Sequence, residues 1–201
     1  MKMKMAFCAA ALLGAAAVNT ASAMDQGDWL VRFGVSNVDP KSNNHPAVSV
    51  DSATSATINF SYMMTDHWAV EVLAAYPFKH DIYLVDGTEV GSTKHLPPTV
   101  SLQYHFLPDS KFQPYIGAGV NYTTFFSEKL YGPLEGAKLS LDDSWGLAAE
   151  VGADFILNET WFLNVSARFI DINTDAKVNG EAFGKVNIDP WVYGAHVGVR
   201  F

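Results

Sequence analysis

Across residues 145–155 the chain reads Trp-Gly-Leu-Ala-Ala-Glu-Val-Gly-Ala-Asp-Phe, with an apolar side chain at every second position. Trp145, Leu147, Ala149, Val151, Ala153 and Phe155 share one face, and Gly146, Ala148, Glu150, Gly152 and Asp154 share the other. A period of two is the mark of a β-strand, whose side chains alternate between faces. A strand of a soluble sandwich would carry long charged side chains on its outer face. Here the second face carries glycines, an alanine and two acids, which suits a narrow wet interior. The apolar face has an aromatic residue at each end, as a strand crossing a bilayer does.

Seven more stretches repeat the alternation: Trp29–Val38, Ala53–Met63, Trp68–Tyr76, Pro98–Phe106, Phe112–Phe126, Trp161–Ile170 and Trp191–Phe201. The links between the eight alternate long and short. Met64–His67, Leu107–Lys111 and Leu157–Thr160 are tight turns, whereas residues 38–51, 77–97, 127–144 and 171–190 read as polar, Pro- and Gly-bearing loops. This rhythm predicts an all-β fold, an eight-stranded antiparallel transmembrane up-and-down β-barrel with short periplasmic turns and long extracellular loops. A ten-residue strand at about 3.3 Å per residue, tilted by about 45°, rises roughly 23 Å, the height of an outer-membrane barrel's apolar band.

The tryptophans give an independent orientation. Trp29, Trp68 and Trp161 fall at the inner strand ends and Trp145 and Trp191 at the outer ones, all on the apolar face. Indole rings favour the membrane–water boundary, so the five predict two aromatic girdles. Five core tryptophans in a soluble sandwich would not explain why none falls mid-strand. The chain ends on Phe201 with Val199 and Val197 on its face, which resembles the terminal-strand signal read by the barrel-insertion machinery. The expected surroundings are outer-membrane lipid and lipopolysaccharide.

Composition sets the compartment. Lys2 and Lys4, the apolar run Met5–Val18 and the small residues Ala21-Ser22-Ala23 predict a secretory signal peptide over residues 1–23, followed by a barrel domain over residues 24–201. The single cysteine, Cys8, lies within that signal, so the remainder needs no disulfide and offers no thiol nucleophile. Without Lys2 and Lys4, 11 of the 13 basic residues remain against 21 acidic ones, a formal charge of −10. That balance argues against nucleic acid as a partner. The hydrophobic fraction of 49% is ordinary, and after the signal no run approaches the length of a spanning helix.

The inward face carries charge. Arg32, Glu71, Asp154 and Arg200 fall in the periplasmic half and Glu150 near the middle, forming a lumen charge network. Unpaired charges would be costly in a narrow interior, so the network reads either as a structural polar plug or as a proton or ion path. Arg168 sits higher, with no acid beside it in sequence and Glu150 as its nearest candidate partner. Pro77 ends the third strand and Pro97-Pro98 opens the fourth. Proline cannot donate to a ladder, so these three either open a lateral gap in the wall or simply stop the strands. The histidines (His45, His67, His80, His95, His105 and His196) show no spacing for a nucleophile–base pair or a metal site. No enzyme activity, metal or cofactor is expected.

Taken in order, His95-Leu-Pro-Pro-Thr99, the run Pro114–Phe126, Asp143-Ser-Trp-Gly146 and Asp189-Pro-Trp191 resemble the outer membrane protein W (OmpW) family over nearly the whole chain after the signal. The resemblance implies a narrow hydrophobic channel that passes small hydrophobic molecules, some relatives being encoded beside alkane-degrading enzymes. It also implies an alternative: a structural, adhesive or receptor barrel whose loops meet a bacteriocin or phage. In the family a leucine on the third strand and a tryptophan on the seventh close the channel. The leucine position matches Leu73, but Arg168 stands where the tryptophan would be. The expected route runs from the outer side past Tyr115 or Phe125 to a gate at Leu73 and Arg168, then sideways between Pro77 and Pro97-Pro98.

Overall fold

The computed structural model describes residues 24–201, so the signal segment expected at residues 1–23 lies outside the described residues. Fourteen strands follow in order: β1 (Trp29–Asp39), β2 (Val48–Val50), β3 (Ala53–Met63), β4 (Trp68–Ala75), β5 (Phe78–Leu84), β6 (Glu89–Leu96) and β7 (Thr99–His105), then β8 (Phe112–Leu130), β9 (Leu139–Leu141), β10 (Ser144–Ile156), β11 (Trp161–Ile170), β12 (Asn173–Val178), β13 (Glu181–Asn187) and β14 (Trp191–Arg200). Eight of them, β1, β3, β4, β7, β8, β10, β11 and β14, pair antiparallel with their neighbours, and the β8–β10 and β14–β1 ladders complete a closed ring. Closure leaves no strand edge, which is what a sheet in hydrocarbon requires.

The alternation sorts side chains as the sequence indicates. Trp145 and Leu147 are 73% and 71% exposed, and Phe33, Val35, Val100, Ile116 and Val165 also point outward. An apolar belt of this extent is unstable in water and fits lipid. Trp29, Trp68 and Trp161 lie at one rim beside Tyr62 and Tyr104, and Trp145 and Trp191 at the other beside Tyr122 and Phe169.

The long links differ from expectation. Two of the four expected loops, residues 77–97 and 171–190, fold largely into strands above the barrel, and the other two contribute shorter ones. Residues 78–84 and 89–96 form the β5–β6 hairpin, which packs beside an outward continuation of β8 to Leu130, and β2 joins its edge. Residues 173–178 and 181–187 form the β12–β13 hairpin, with β9 alongside. The signals were local: Phe78, His80 and Ile82 continue a period of two past Pro77, and Asn179-Gly180, both at positive φ, is a favoured two-residue hairpin turn. Pro77 breaks the ladder without turning the chain.

The interior is layered along the barrel axis. At the periplasmic end Met24, Leu30, Met63, Ala69, Ile156 and Phe162 form a small apolar plug. The middle is polar, with Arg32, Ser61, Glu71, Gln103, Asp154, Asn164 and Arg168 all buried. Toward the outside Val38, Ala53, Phe78, Phe125, Ala148, Ile170, Ile172 and Ile188 belong to one apolar cluster that continues from the upper barrel into the strand extension.

Candidate functional site

The polar layer is one connected ion-pair chain. Arg32 grips Asp154 with two bonds, Nη2 to Oδ2 at 2.7 Å and Nε to Oδ1 at 3.1 Å. Its Nη1 donates to Ser61 Oγ at 2.7 Å and lies 3.3 Å from Glu71 Oε2. Glu71 Oε1 accepts in turn from Arg168 Nη2 at 2.5 Å, and Arg168 reaches Glu150 Oε2 at 2.5 Å. Glu150 and Arg168 face each other directly across the β10–β11 ladder, which is why this pair forms. Gln103 donates to the second Glu150 oxygen at 2.9 Å, and Asn164 donates to Asp154 at 2.8 Å. Two guanidinium groups thus hold three carboxylates. The layer tolerates burial because almost every charge has a charged and a neutral partner.

Glycines make room for it. A Cβ on Gly117 would sit 2.5 Å from Glu150 Oε1, and one on Gly152 would sit 2.4 Å from Tyr115. The large inward side chains lie flat across the facing wall, and only a bare backbone can accept them there.

Two expected positions need correction. Arg200 is the last residue of β14, opposite Leu30, and so stands at the periplasmic rim below the charged layer. There it donates to the Glu159 carbonyl at 2.9 Å and lies 3.7 Å from Asp28. Tyr115 was expected on the route above the gate, but it lies within the charged layer. Because β8 rises from the periplasmic turn at Phe112, Tyr115 is only its fourth residue and pairs with Gly152, two residues below the Gly117–Glu150 pair. Its hydroxyl meets Asn164 at 3.0 Å, its ring stacks on His105 at 5.0 Å, and Arg32 sits 5.5 Å over it.

Phe125 stands at the opposite end, lining an outer chamber whose wall is almost wholly apolar. Val50, Ile82, Val90, Leu141, Ile172, Val186 and Ile188 supply most of the wall, with His80 and His95 among them. These two histidines were not singled out as functional by sequence. Their signal was alternation with Phe78 and Ile82, which continued the strand pattern into a presumed loop. Burial lowers the pKa of both, that of His95 to about 3 with a smaller contribution from His80, so both rings are neutral at physiological pH. Among the described residues no group of three or more His, Cys, Asp or Glu is placed to hold a metal ion.

Between chamber and charged layer the wall changes. The β4–β7 ladder ends at the pair Leu73–Thr99, and the β5–β6 ladder begins at Phe78–His95. In between, residues 74–77 lie opposite residues 96–98, one residue more on one side than on the other. Pro77, Pro97 and Pro98 all fall in this interval. Each side stays tied to its outer neighbour: Tyr76 N–H donates to Ala56 O at 2.9 Å, and Pro98 O accepts from Tyr122 N–H at 3.0 Å. Leu73, buried and facing inward, caps the top of the β4–β7 ladder two residues above Glu71.

Residues 25–201 match the family model described as the OmpW family. The chain is 42% identical to outer membrane protein W of Vibrio cholerae, over 99% of this chain and 100% of that one. The crystal structure of the outer membrane protein OprG from Pseudomonas aeruginosa superposes with a TM-score of 0.80 at 37% identity, over 90% of this chain and 99% of that one. A more distant relative, 27% identical over 88% of this chain and 90% of its own length, is the dibenzothiophene metabolism operon protein PahQ of Pseudomonas aeruginosa.

Proposed function

The chain belongs to the OmpW family of outer-membrane β-barrels, and from that premise we propose that it takes up small hydrophobic molecules through its outer chamber and releases them sideways into the membrane. The observation that carries this reading is the juxtaposition of an apolar chamber, a charged floor and an interrupted wall between them. The Pseudomonas relative named for dibenzothiophene metabolism, an apolar aromatic compound, is consistent with such a cargo.

Magnitudes favour the lateral route. A solute burying roughly 200 Å² of apolar surface gains about 5 kcal/mol on leaving water. It gains about the same in the chamber as in the bilayer, so passage between the two is close to level. Continuing straight down would require prising apart the Arg32–Glu71–Arg168–Glu150 chain, at about 3–5 kcal/mol for each buried charge left alone, and then presenting an apolar surface to periplasmic water. Leu73 and Arg168 form the gate in this scheme: Leu73 offers an apolar lip at the foot of the gap, and Arg168 locks the floor beneath it.

The test is uptake by purified protein in liposomes of an apolar probe, such as naphthalene, against a polar probe of similar size. Naphthalene should accumulate faster than in protein-free vesicles while the polar probe gains no rate. Equal acceleration of both would make the barrel an aqueous pore and end the reading.

A further inference from the structure

Two imidazoles stand inside a chamber whose other walls are almost wholly apolar, and the charged floor does not involve them. His80 and His95 are 2% and 3% exposed, and their rings stack at 4.9 Å with 23° between planes. Phe78 and Phe125 flank His95 at 5.4 and 5.9 Å. The Phe78–His95 pair is also the first ladder pair above the wall interruption, so the imidazoles border the proposed exit.

The protonation of His80 follows from its partner. Its Nδ1 lies 2.5 Å from the Asp51 backbone oxygen. A carbonyl can only accept, so Nδ1 carries the ring proton. In a neutral ring Nε2 is then a bare acceptor, and no donor among the described residues reaches it. His95 Nε2 is likewise buried and without a partner among the described residues. A buried polar atom left unpaired costs about 1–3 kcal/mol. Leucine or phenylalanine at either position would avoid that cost and fit the rest of the wall. The chamber wall therefore buries an unpaired acceptor, and beside it a second unpaired Nε2 that can carry a proton, where simple hydrocarbon binding needs neither.

We propose that the His80–His95 pair is a recognition point for the hydroxyl of an otherwise apolar ligand, an alcohol or a phenol, whose O–H donates to His80 Nε2 and whose oxygen accepts from His95 Nε2–H. This deepens the uptake reading above and rests on it. A hydrocarbon offers neither bond. A carboxylate has no proton for His80 Nε2, and the dry site disfavours the imidazolium that would pair with it.

The experiment is equilibrium binding of 1-decanol, decane and decanoate to the full barrel in nanodiscs, corrected against empty nanodiscs, for the wild type and His80→Leu. The wild type should bind decanol about tenfold more tightly than decane, the worth of one to two net hydrogen bonds, and decanoate more weakly than decanol. His80→Leu should erase the preference for decanol over decane. On the wild type alone, decanol and not decane should shift the nitrogen-15 resonance of His80 Nε2, a readout that does not depend on how the variant folds. A decanol preference that survives in His80→Leu, an unshifted His80 resonance, or decanoate binding as tightly as decanol would overturn the hydroxyl site while leaving hydrophobic uptake intact. If none of the three probes binds, the uptake reading falls, and this site with it.

Discussion

The middle of the barrel and the chamber above it are built from the same alternating strands, yet their inward faces obey opposite rules. In the middle, Arg32, Glu71, Glu150, Asp154 and Arg168 satisfy one another, so the interior is full and polar. In the chamber, Ile82, Val90, Ile172 and Val186 face one another around open space. A filled polar layer stabilises and seals. An unfilled apolar one leaves contacts for a guest to make. On the proposed uptake reading, stability belongs to one layer and solute handling to the other, and each can be disturbed separately.

The largest effect should come from the floor. Arg32→Met removes the partner of Asp154 and one of the two guanidinium groups on Glu71, and should cost about 3–5 kcal/mol. Urea unfolding from lipid vesicles measures it. A loss below about 1 kcal/mol would mean that the chain of charges is solvated and is no seal.

Arg168→Trp comes next and sharpens the comparison, since it places an apolar plug where a charge now stands. It should cost stability through the unpaired Glu150 and Glu71. Uptake of an apolar probe should nevertheless stay within about twofold, because the proposed exit lies above this layer. A collapse of uptake would show that the solute passes the floor.

The chamber should respond to acid. Folded His80 and His95 have lowered pKa values, His95 about 3, against about 6.5 unfolded. Their stabilisation is complete above about pH 6.5 and is lost progressively as pH falls, for His95 down to about 3, because the opened chain binds protons first. Asp51 and Asp81 face His80 and offset part of its share, while nothing acidic offsets burial at His95. Hydrogen exchange at pH 4.5, once intrinsic rates are removed, should therefore rise in β5 and β6 relative to pH 7.5. Uniform protection at both pH values would contradict the neutral, dry placement of the pair. The smallest effect belongs to the girdles: Trp145→Ala should cost about 1 kcal/mol or less in vesicle unfolding, because its 73% exposed ring gives up lipid-boundary contacts and little internal packing.

Most of the barrel was legible because lipid and lumen impose period two on every strand, and the turns at Met64–His67, Leu107–Lys111 and Leu157–Thr160 are short enough to be unambiguous. The Glu150–Arg168 contact could be anticipated for the same reason: neighbouring strands with fixed ends fix which residues face each other. Tyr115 was misjudged although the information was present. Depth follows from counting up from the nearest turn, and Tyr115 is only the fourth residue of β8. The outer extension was hidden for a different reason. Its strands are short, their polar faces look like loops, and their apolar faces acquire a purpose only when two hairpins close over one chamber. His80 and His95 belong to that class, since neither gives a chemical signal until folding stacks them together.

The lateral route is tested most directly by sealing the wall and timing uptake. Replacing Pro77, Pro97 and Pro98 together with valine would supply the missing N–H donors, allowing the β4–β7 ladder to join the β5–β6 ladder. Initial naphthalene uptake into liposomes should then fall at least severalfold, while chamber binding of naphthalene and barrel stability hold. Uptake at the wild-type rate in a variant whose amide protection shows the ladder joined would contradict lateral release.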